Sequence, residues 1–422
     1  MKMQNTFISN VVKSVFVASI LTSAGMANAQ QAPQPEDRYG DGRVSAFYTW
    51  KAAIPEQAGK LLKTEDISNP YIRLDNDSTA IRILYSSTSG RDSKTPIVVS
   101  GTVHLPKGTP PKEGWPVVLW AHGTVGLADA CAPSWNGRSY RDVQYLNRWL
   151  KEGFAVVATD YEGLGVAGPH LLINNPMLAY SILDSGRAAL KTKLPLANRF
   201  VIVGQSQGGA GAVSASAYSA TYAPELNIKG SIGTGVIYQD PEATAEKNQL
   251  KLNPYEVSPS LAYGIYSFLV TQSLFPEIKT EDIFTAEAVP LVEQARNACL
   301  TSFMGDIQTA GLSPAQAYKA NPPSIYKKLQ EKQSNDYGYY PTLKINHPLF
   351  IGTGANDRTP DARNQMKLVA DACKAGTVVE GHLYHGLGHS ETVNASLQDS
   401  VPFAKKVIAG EKIQSICKPD LQ

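Results

Sequence analysis

The stretch that decides the fold is FVIVGQSQGGAGAV, residues 200–213. Four apolar residues typical of a buried strand run directly into Gly204, and small residues able to open a helix follow Ser206. From Gly204 to Gly208 the chain reads G-x-S-x-G, a pattern that holds a serine on a sharp strand-to-helix turn. Because glycines on both sides let strand and helix approach closely, the Ser206 hydroxyl is predicted to stand above a sheet.

Brief, continuous apolar runs recur on both sides of this turn, separated by segments with helical periodicity. Such runs predict strands buried on both faces, and their alternation with helices predicts a doubly wound α/β domain with a mostly parallel sheet. Apolar stripes at residues 143–150 and 179–190 predict two of the flanking helices. Two earlier runs, residues 81–86 and 97–105, predict an antiparallel entry into the sheet. The continuous runs lie at residues 117–121, 154–159, 200–203, 228–232 and 349–351.

Residues 238–340 break this alternation, because they are rich in proline, tyrosine and short apolar patches without a strand series. A structureless loop of that length is implausible inside a compact domain. We therefore predict a mainly helical cap inserted between two parts of the α/β core, residues 46–237 and 341–422. We expect the cap to cover an apolar substrate site; the alternative is a segment that only completes the core.

Residues 1–29 have the features of a signal peptide. Two lysines accompany a short apolar region at residues 14–26, and Ala27-Asn28-Ala29 fits the small-x-small cleavage pattern. We predict cleavage after Ala29, a secreted or periplasmic location, and a flexible leader over residues 30–45. The alternative is an uncleaved anchor, although the apolar run is shorter than the ~20 residues that span a bilayer.

The composition is that of a globular protein, with 43% hydrophobic and 18% charged residues, and it excludes an intrinsically disordered chain. The formal net charge is +2, and the predicted signal peptide carries two lysines and no acidic residue. The mature chain is therefore predicted to be nearly neutral. Since no basic run is present, we expect neither nucleic acid nor an anionic membrane as a partner.

Four cysteines follow the predicted signal peptide: Cys131, Cys299, Cys373 and Cys417. An even number in an exported protein predicts disulfide bonds. Three connectivities are possible; sequence order favours Cys131–Cys299 with Cys373–Cys417, but spacing alone does not decide between them. The cysteines lack the spacing of zinc ligands, so no metal site is predicted.

A serine hydroxyl is a poor nucleophile near neutral pH and needs a general base and an orienting acid. His389, in the glycine-rich loop GLGHSE, is the predicted base; His385 shares that loop and is the alternative, whereas His382 lies in a predicted strand. The acid should lie between the serine and the histidine in the chain. Asp357 follows the strand LFIGTG and is the predicted acid. Asp361 is the alternative, although it has the position of an acid at a helix N-terminus.

Two backbone N–H groups are predicted to stabilise the tetrahedral oxyanion. The N–H of Gln207 lies at the start of the new helix, and a second comes from the loop after strand VVLW, where Thr124 is preferred to Gly126. His122 is expected to brace this loop instead of acting as a base. The stretch DYEGLG, residues 160–165, is either a wall of the pocket or a turn fastened by its two acidic side chains.

Together these stretches resemble the secretory lipase family of α/β-hydrolases, typified by the yeast lipase A group and its bacterial relatives. The resemblance covers most of the mature chain and is weakest in the predicted cap. The matching stretches are AHGT at 121–124, CAPS at 131–134, DYEGLG at 160–165, the turn at 204–208, YAPELNI at 222–228 and the loops of Asp357 and His389.

The resemblance implies an α/β-hydrolase fold with a helical cap, and disulfides paired in sequence order. It also implies Ser206 as nucleophile, Asp357 as orienting acid and His389 as general base, with no cofactor. The expected activity is that of a carboxylic ester hydrolase, a lipase or esterase working through an acyl-enzyme intermediate. Its expected partners are a small-molecule or lipid ester and, through the cap, lipid interfaces. The alternatives are a serine peptidase or amidase on the same fold and a hydrolase-like binding protein without turnover.

Overall fold

The computed structural model describes residues 43–240 and 253–419. The predicted signal peptide, its cleavage site and nearly all of the predicted leader lie outside the described residues, as does part of the predicted cap. The strands are β1 Leu61–Asp66, β2 Asp77–Thr88, β3 Pro96–Pro106, β4 Trp115–Ala121, β5 Ala155–Thr159, β6 Leu196–Gln205, β7 Ile228–Thr234, β8 Leu349–Gly354 and β9 Val379–Tyr384.

Thirteen α-helices and two short 3₁₀ turns, Ala46–Tyr48 and Asp129–Cys131, accompany these strands within the described ranges. The helices are α1 Pro133–Asn136, α2 Tyr140–Lys151, α3 Asn175–Ala189, α4 Gln207–Tyr222, α5 Leu261–Leu274, α6 Thr280–Ile283, α7 Val289–Ala295, α8 Leu300–Ala310, α9 Pro314–Ala317, α10 Ser324–Tyr337, α11 Ala362–Lys374, α12 Glu391–Ala395 and α13 Leu397–Ala409.

The nine strands form one sheet in the order β1-β2-β3-β5-β4-β6-β7-β8-β9. The first three pairings in this order, β1-β2, β2-β3 and β3-β5, are antiparallel, and all pairings from β5 to β9 are parallel. The predicted antiparallel entry and the predicted mostly parallel sheet are therefore both confirmed. Strand β1 escaped prediction because it is an edge strand whose half-exposed sequence, LLKTED, lacks a continuous apolar run.

The central strands are buried on both faces, as their continuous apolar runs predicted. In β6, Phe200 and Ile202 are fully buried, and Ile202 packs in the core on the side of α3 and α4. Val201 and Val203 point to the opposite face, where they join the core formed with α2 and α13. Each such side chain stabilises the fold by about 1.5–3 kcal/mol when buried. Strand β6 therefore gains stability from packing on both faces of the sheet.

Between β7 and β8, the described residues form helices α5 to α10 and one isolated bridge between Phe284 and Tyr318. Aromatic side chains hold this region together; for example, the Phe268 and Phe284 rings meet edge to face with centroids 4.9 Å apart. These residues belong to the same core cluster as the side chains of α3 and α4. This helical region is therefore attached to the α/β core by apolar packing.

Two disulfide bonds connect distant parts of the chain. Cys131 is bonded to Cys299 with an S–S distance of 2.08 Å, and Cys373 to Cys417 with 2.10 Å. The second bond fastens the segment after α13 to α11. In the described part of the chain, no helix combines the length and the apolar character needed to cross a membrane.

Replacing Cys373 and Cys417 together by serine is expected to destabilise the folded protein. The bond closes a loop with a sequence separation of 44, and its loss releases chain entropy in the unfolded state worth up to about 4 kcal/mol. Urea denaturation followed by tryptophan fluorescence measures the change. Ser415→Ala, an exposed position beside the bond, is the control expected to leave the midpoint unchanged; an unchanged midpoint in the double variant would contradict the prediction.

Candidate active site

Ser206 occupies a strained turn between the last residue of β6 and the first residue of α4. Its φ of 58° and ψ of −120° lie in a region that side-chain-bearing residues rarely adopt. The neighbouring glycines make the turn possible, because a Cβ on Gly204 would lie 1.8 Å from the Gly208 carbonyl oxygen. A Cβ on Gly208 would in turn lie 1.8 Å from the Ala121 carbonyl oxygen. This backbone is the strand–turn–helix that the G-x-S-x-G pattern predicted.

The structure brings Ser206, His389 and Asp357 together in one chain of hydrogen bonds. The Ser206 Oγ lies 2.9 Å from His389 Nε2, and His389 Nδ1 lies 2.8 Å from Asp357 Oδ2. A carboxylate only accepts hydrogen bonds, so a neutral imidazole in this position has its proton on Nδ1 and a lone pair on Nε2. The imidazole can therefore accept the proton of the serine hydroxyl.

Asp357 is held in place by donors besides the imidazole. The residue is 4% exposed, and its Oδ1 accepts the Thr359 N–H at 2.8 Å. Its Oδ2 also accepts from the Gln365 side-chain amide at 2.9 Å. Sequence reasoning did not identify Gln365, because nothing in the local pattern of α11 marks a residue that contacts the loop before it.

The alternative candidates lie away from this chain of hydrogen bonds. His385 is exposed, and His382 stacks on Phe350 with ring centroids 4.9 Å apart, as expected for a packed residue. Asp361 is the N-cap of α11, where its carboxylate accepts the Arg363 N–H at 2.8 Å. Such N-caps satisfy a backbone donor that the helix itself leaves unpaired.

Both predicted oxyanion donors lie beside Ser206. Gln207 is the first residue of α4, where backbone N–H groups lack partners within the helix. Thr124 lines both cavities that open onto Ser206. A Cβ on Gly123 would lie 3.4 Å from the Ser206 Cβ, which shows how closely this loop approaches the serine. The loop that contains Thr124 and the N-terminus of α4 therefore both lie close to the Ser206 side chain.

His122 and Tyr161 brace the loop that contains Thr124. His122 is buried, and its Nδ1 lies 2.6 Å from the Gly123 carbonyl oxygen. Burial lowers the pKa of His122, which favours a neutral ring. The Tyr161 hydroxyl donates to the His122 carbonyl oxygen at 2.8 Å. These contacts agree with a bracing role for His122.

The acidic residues of DYEGLG fasten their own turn, in agreement with the second of the two interpretations. Asp160 accepts from the Ser100 hydroxyl at 2.6 Å and from the Ser134 N–H at 2.9 Å. Glu162 accepts from the Ser89 hydroxyl at 2.7 Å and from the Gly90 N–H at 2.8 Å. Burial raises the pKa of Glu162, so these hydrogen bonds matter for keeping its carboxyl in the interior.

A buried histidine that sequence reasoning missed supports Gln207. The Gln207 amide donates to His170 Nε2 at 2.8 Å and to the Leu172 carbonyl oxygen at 3.0 Å. His170 Nδ1 donates to the Glu162 carbonyl oxygen at 2.9 Å. Burial lowers the pKa of His170 to about 4, so the ring is neutral at physiological pH and accepts from Gln207.

Two cavities meet at Ser206. The larger has a volume of about 1010 Å³ and is lined by many polar side chains, among them Arg138, Arg141 and Glu391. The smaller has a volume of about 350 Å³. Both are partly walled by the helical region between β7 and β8, whose Tyr263 lines the two of them. The apolar lining of the smaller cavity consists of Leu172, Ile173, Ile237, Val270 and Pro360.

The Cys131–Cys299 bond lies in the wall of the larger cavity. Cys299 directly precedes α8, and the next residue, Leu300, donates its N–H to the Val125 carbonyl oxygen at 2.7 Å. The disulfide and this hydrogen bond together tie the helical region to the loop that contains Thr124 and to the residues just after it. Among the described residues, no group of three or more His, Cys, Asp or Glu side chains is arranged to hold a metal ion.

Comparisons with known proteins identify relatives that are named as lipases. The chain is 27% identical over 322 residues to the secreted triacylglycerol lipase LIP4 of Malassezia globosa, covering 73% of this chain and 64% of the relative. It is 27% identical over 215 residues to Lipase A of Moesziomyces aphidis, covering 46% of this chain and 43% of the relative. It thus spans less than two thirds of the length of either relative.

The fold is similar to that of Candida antarctica lipase A in the crystal structure of its closed state. The TM-score is 0.69 at 19% sequence identity, over 89% of this chain and 88% of that chain. This likeness confirms the α/β-hydrolase fold. The family model described as secretory lipase matches residues 139–401, which is more than half of the chain. The chain therefore belongs to the secretory lipase family.

Proposed function

We propose that this protein is a secreted serine hydrolase that cleaves carboxylic esters, including lipid esters. The observation that carries the proposal is the chain of hydrogen bonds from Ser206 through His389 to Asp357, at the point where two cavities meet. Membership of the secretory lipase family supports the same chemistry. A secreted location is supported by the name of the Malassezia relative and by the two disulfide bonds.

In the first half of the reaction, the Ser206 oxygen attacks the ester carbonyl carbon while His389 Nε2 takes the hydroxyl proton. Asp357 stabilises the resulting imidazolium through its bond to Nδ1. The N–H groups of Gln207 and Thr124 donate to the oxyanion of the tetrahedral intermediate. In sites of this kind one such donor contributes about 10²–10³ in rate.

In the second half, the carbon–oxygen bond to the alcohol breaks and His389 gives its proton to the departing oxygen. The acyl group remains on Ser206 as an ester. His389 then deprotonates a water molecule, which attacks the acyl carbonyl and releases the carboxylic acid. Ser206 regains its proton, so no cofactor is consumed.

The linings of the two cavities differ in polarity, and this difference indicates which part of an ester each cavity binds. The smaller cavity has an apolar lining and suits the acyl chain, whereas the larger and more polar cavity suits the alcohol part. The described part of residues 238–340 acts as a cap, because side chains from it wall both cavities. We propose that the outer surface of the cap is where the enzyme meets lipid interfaces.

Ser206→Ala is expected to abolish ester hydrolysis, with kcat lower by about 10⁶, as for removal of the nucleophile in comparable triads. A fluorophosphonate probe should label the wild type and not the variant, while the melting temperature stays nearly unchanged. Ser219→Ala, at the far end of the same helix, is the control and should keep both labelling and turnover. A folded wild type that resists labelling would support a binding protein instead.

Esters are expected to be cleaved faster than amides. Parallel assays of a nitrophenyl acyl ester and an aminoacyl nitroanilide measure kcat/KM for the two bond types under the same conditions. A higher value for the anilide would overturn the esterase assignment in favour of a peptidase or amidase.

Val270→Phe is expected to shorten the acyl chains that the enzyme accepts, because the larger ring fills the smaller cavity. The ratio of kcat/KM for a dodecanoyl to an acetyl nitrophenyl ester should fall about tenfold or more. Thr301→Phe, in the wall of the larger cavity, is the matched control and should leave this ratio unchanged. An equal fall in both variants would contradict the assignment of the acyl chain.

A further inference from the structure

The side-chain amide of Gln205 contacts the same imidazole nitrogen as the serine. Gln205 is the last residue of β6 and is 2% exposed. Its Nε2 lies 3.0 Å from His389 Nε2, which also lies 2.9 Å from the Ser206 Oγ. Two donors therefore face one nitrogen lone pair.

Arg141 of α2 determines which way this amide points. A guanidinium group can only donate, and Arg141 Nη2 lies 3.0 Å from Gln205 Oε1. The amide oxygen therefore faces Arg141, and the NH₂ group faces the imidazole. Arg141 is itself held by Asp142, whose Oδ1 accepts from Arg141 Nε at 2.8 Å.

The same amide packs against the loop that presents Thr124. A Cβ on Gly123 would lie 2.4 Å from Gln205 Oε1, so a side chain at position 123 would push the amide out of this position. Gln205 thus contacts the proposed base, α2 and the loop after β4 that contains Gly123 and Thr124, which we call the oxyanion loop. Turning the amide breaks its contact with Arg141 or with His389.

An N–H donor beside Nε2 is compatible with only one neutral form of the imidazole. The donor is stabilised when Nε2 carries a lone pair and the ring proton is on Nδ1, where it is donated to Asp357. This is the form that can accept the serine proton. When Nε2 becomes protonated, the amide loses its acceptor, which favours passing that proton on to the departing alcohol.

We propose that Gln205, oriented by Arg141, is a positioning residue that holds His389 in the form whose Nε2 accepts the Ser206 proton. The inference rests on the proposed ester hydrolysis and adds two residues to it. The role of Gln205 comes from its side chain, whereas the G-x-S-x-G pattern leaves its position unspecified.

The test compares Gln205→Met with Gln205→Glu. Methionine removes the donor, and kcat is expected to fall about tenfold, as for loss of one buried hydrogen bond, with KM within about twofold. Glutamate has the size of glutamine and keeps the contact with Arg141. Its second carboxylate oxygen, however, is an acceptor beside His389 Nε2 and favours a proton on that nitrogen. Its kcat should therefore fall further than that of the methionine variant. A merely structural role predicts the reverse order, and that result would overturn the proposal.

A double-mutant cycle tests the part assigned to Arg141. Arg141→Met alone should lower kcat by about as much as Gln205→Met, because the freed amide no longer presents its NH₂ group to the ring. Since Arg141 acts through Gln205, the double variant should be no slower than the slower single variant. Additive losses would contradict the coupling.

Fluorophosphonate labelling and melting temperatures of all variants separate the possible failures. A wild type without labelling or turnover would refute the proposed function itself. A wild type that hydrolyses esters, combined with folded Gln205 variants of unchanged kcat, would refute only the positioning role.

Discussion

The hydrogen bond between the Ser206 hydroxyl and the His389 imidazole depends on how closely β6, α4 and the loop after β4 approach one another. Gly204 and Gly208 face carbonyl oxygens at distances that leave no space for a side chain. The strained backbone of Ser206 is tolerated because the packed sheet and helix hold it on both sides. The positions of the proposed base and of both proposed oxyanion donors are defined relative to this turn.

Buried polar groups keep the surrounding loops in place. Asp160 and Glu162 accept several hydrogen bonds each, and His122, Tyr161 and His170 connect their turn to the oxyanion loop and to Gln207. A buried polar group without a partner is costly, so each of these contacts favours a single arrangement of the backbone. The groups that we propose to react are therefore surrounded by hydrogen-bonded loops, as the proposed stabilisation of an oxyanion requires.

The described helical region between β7 and β8 supplies part of the walls of both cavities at Ser206. Its aromatic side chains share a core with α3 and α4, while Tyr263 and Val270 face the cavities. The described part of this segment therefore adds to the core and also lines the cavities, while its role as a cap stays a prediction. The Cys131–Cys299 bond attaches it to the chain just after the oxyanion loop, so that movement of α8 is restrained at that point.

The sequence by itself determined the strands that are buried on both faces, the turn at Ser206, and the candidates for base and acid. These follow from local patterns, because burial on two sides excludes polar residues and a tight turn requires glycine. The tertiary structure alone decided the placement of β1, the contact of His389 and not His385 with Ser206, the contacts of Gln365, His170 and Gln205, and the two cavities. Each of these depends on distances between residues far apart in the chain, and such distances arise only when the elements pack together.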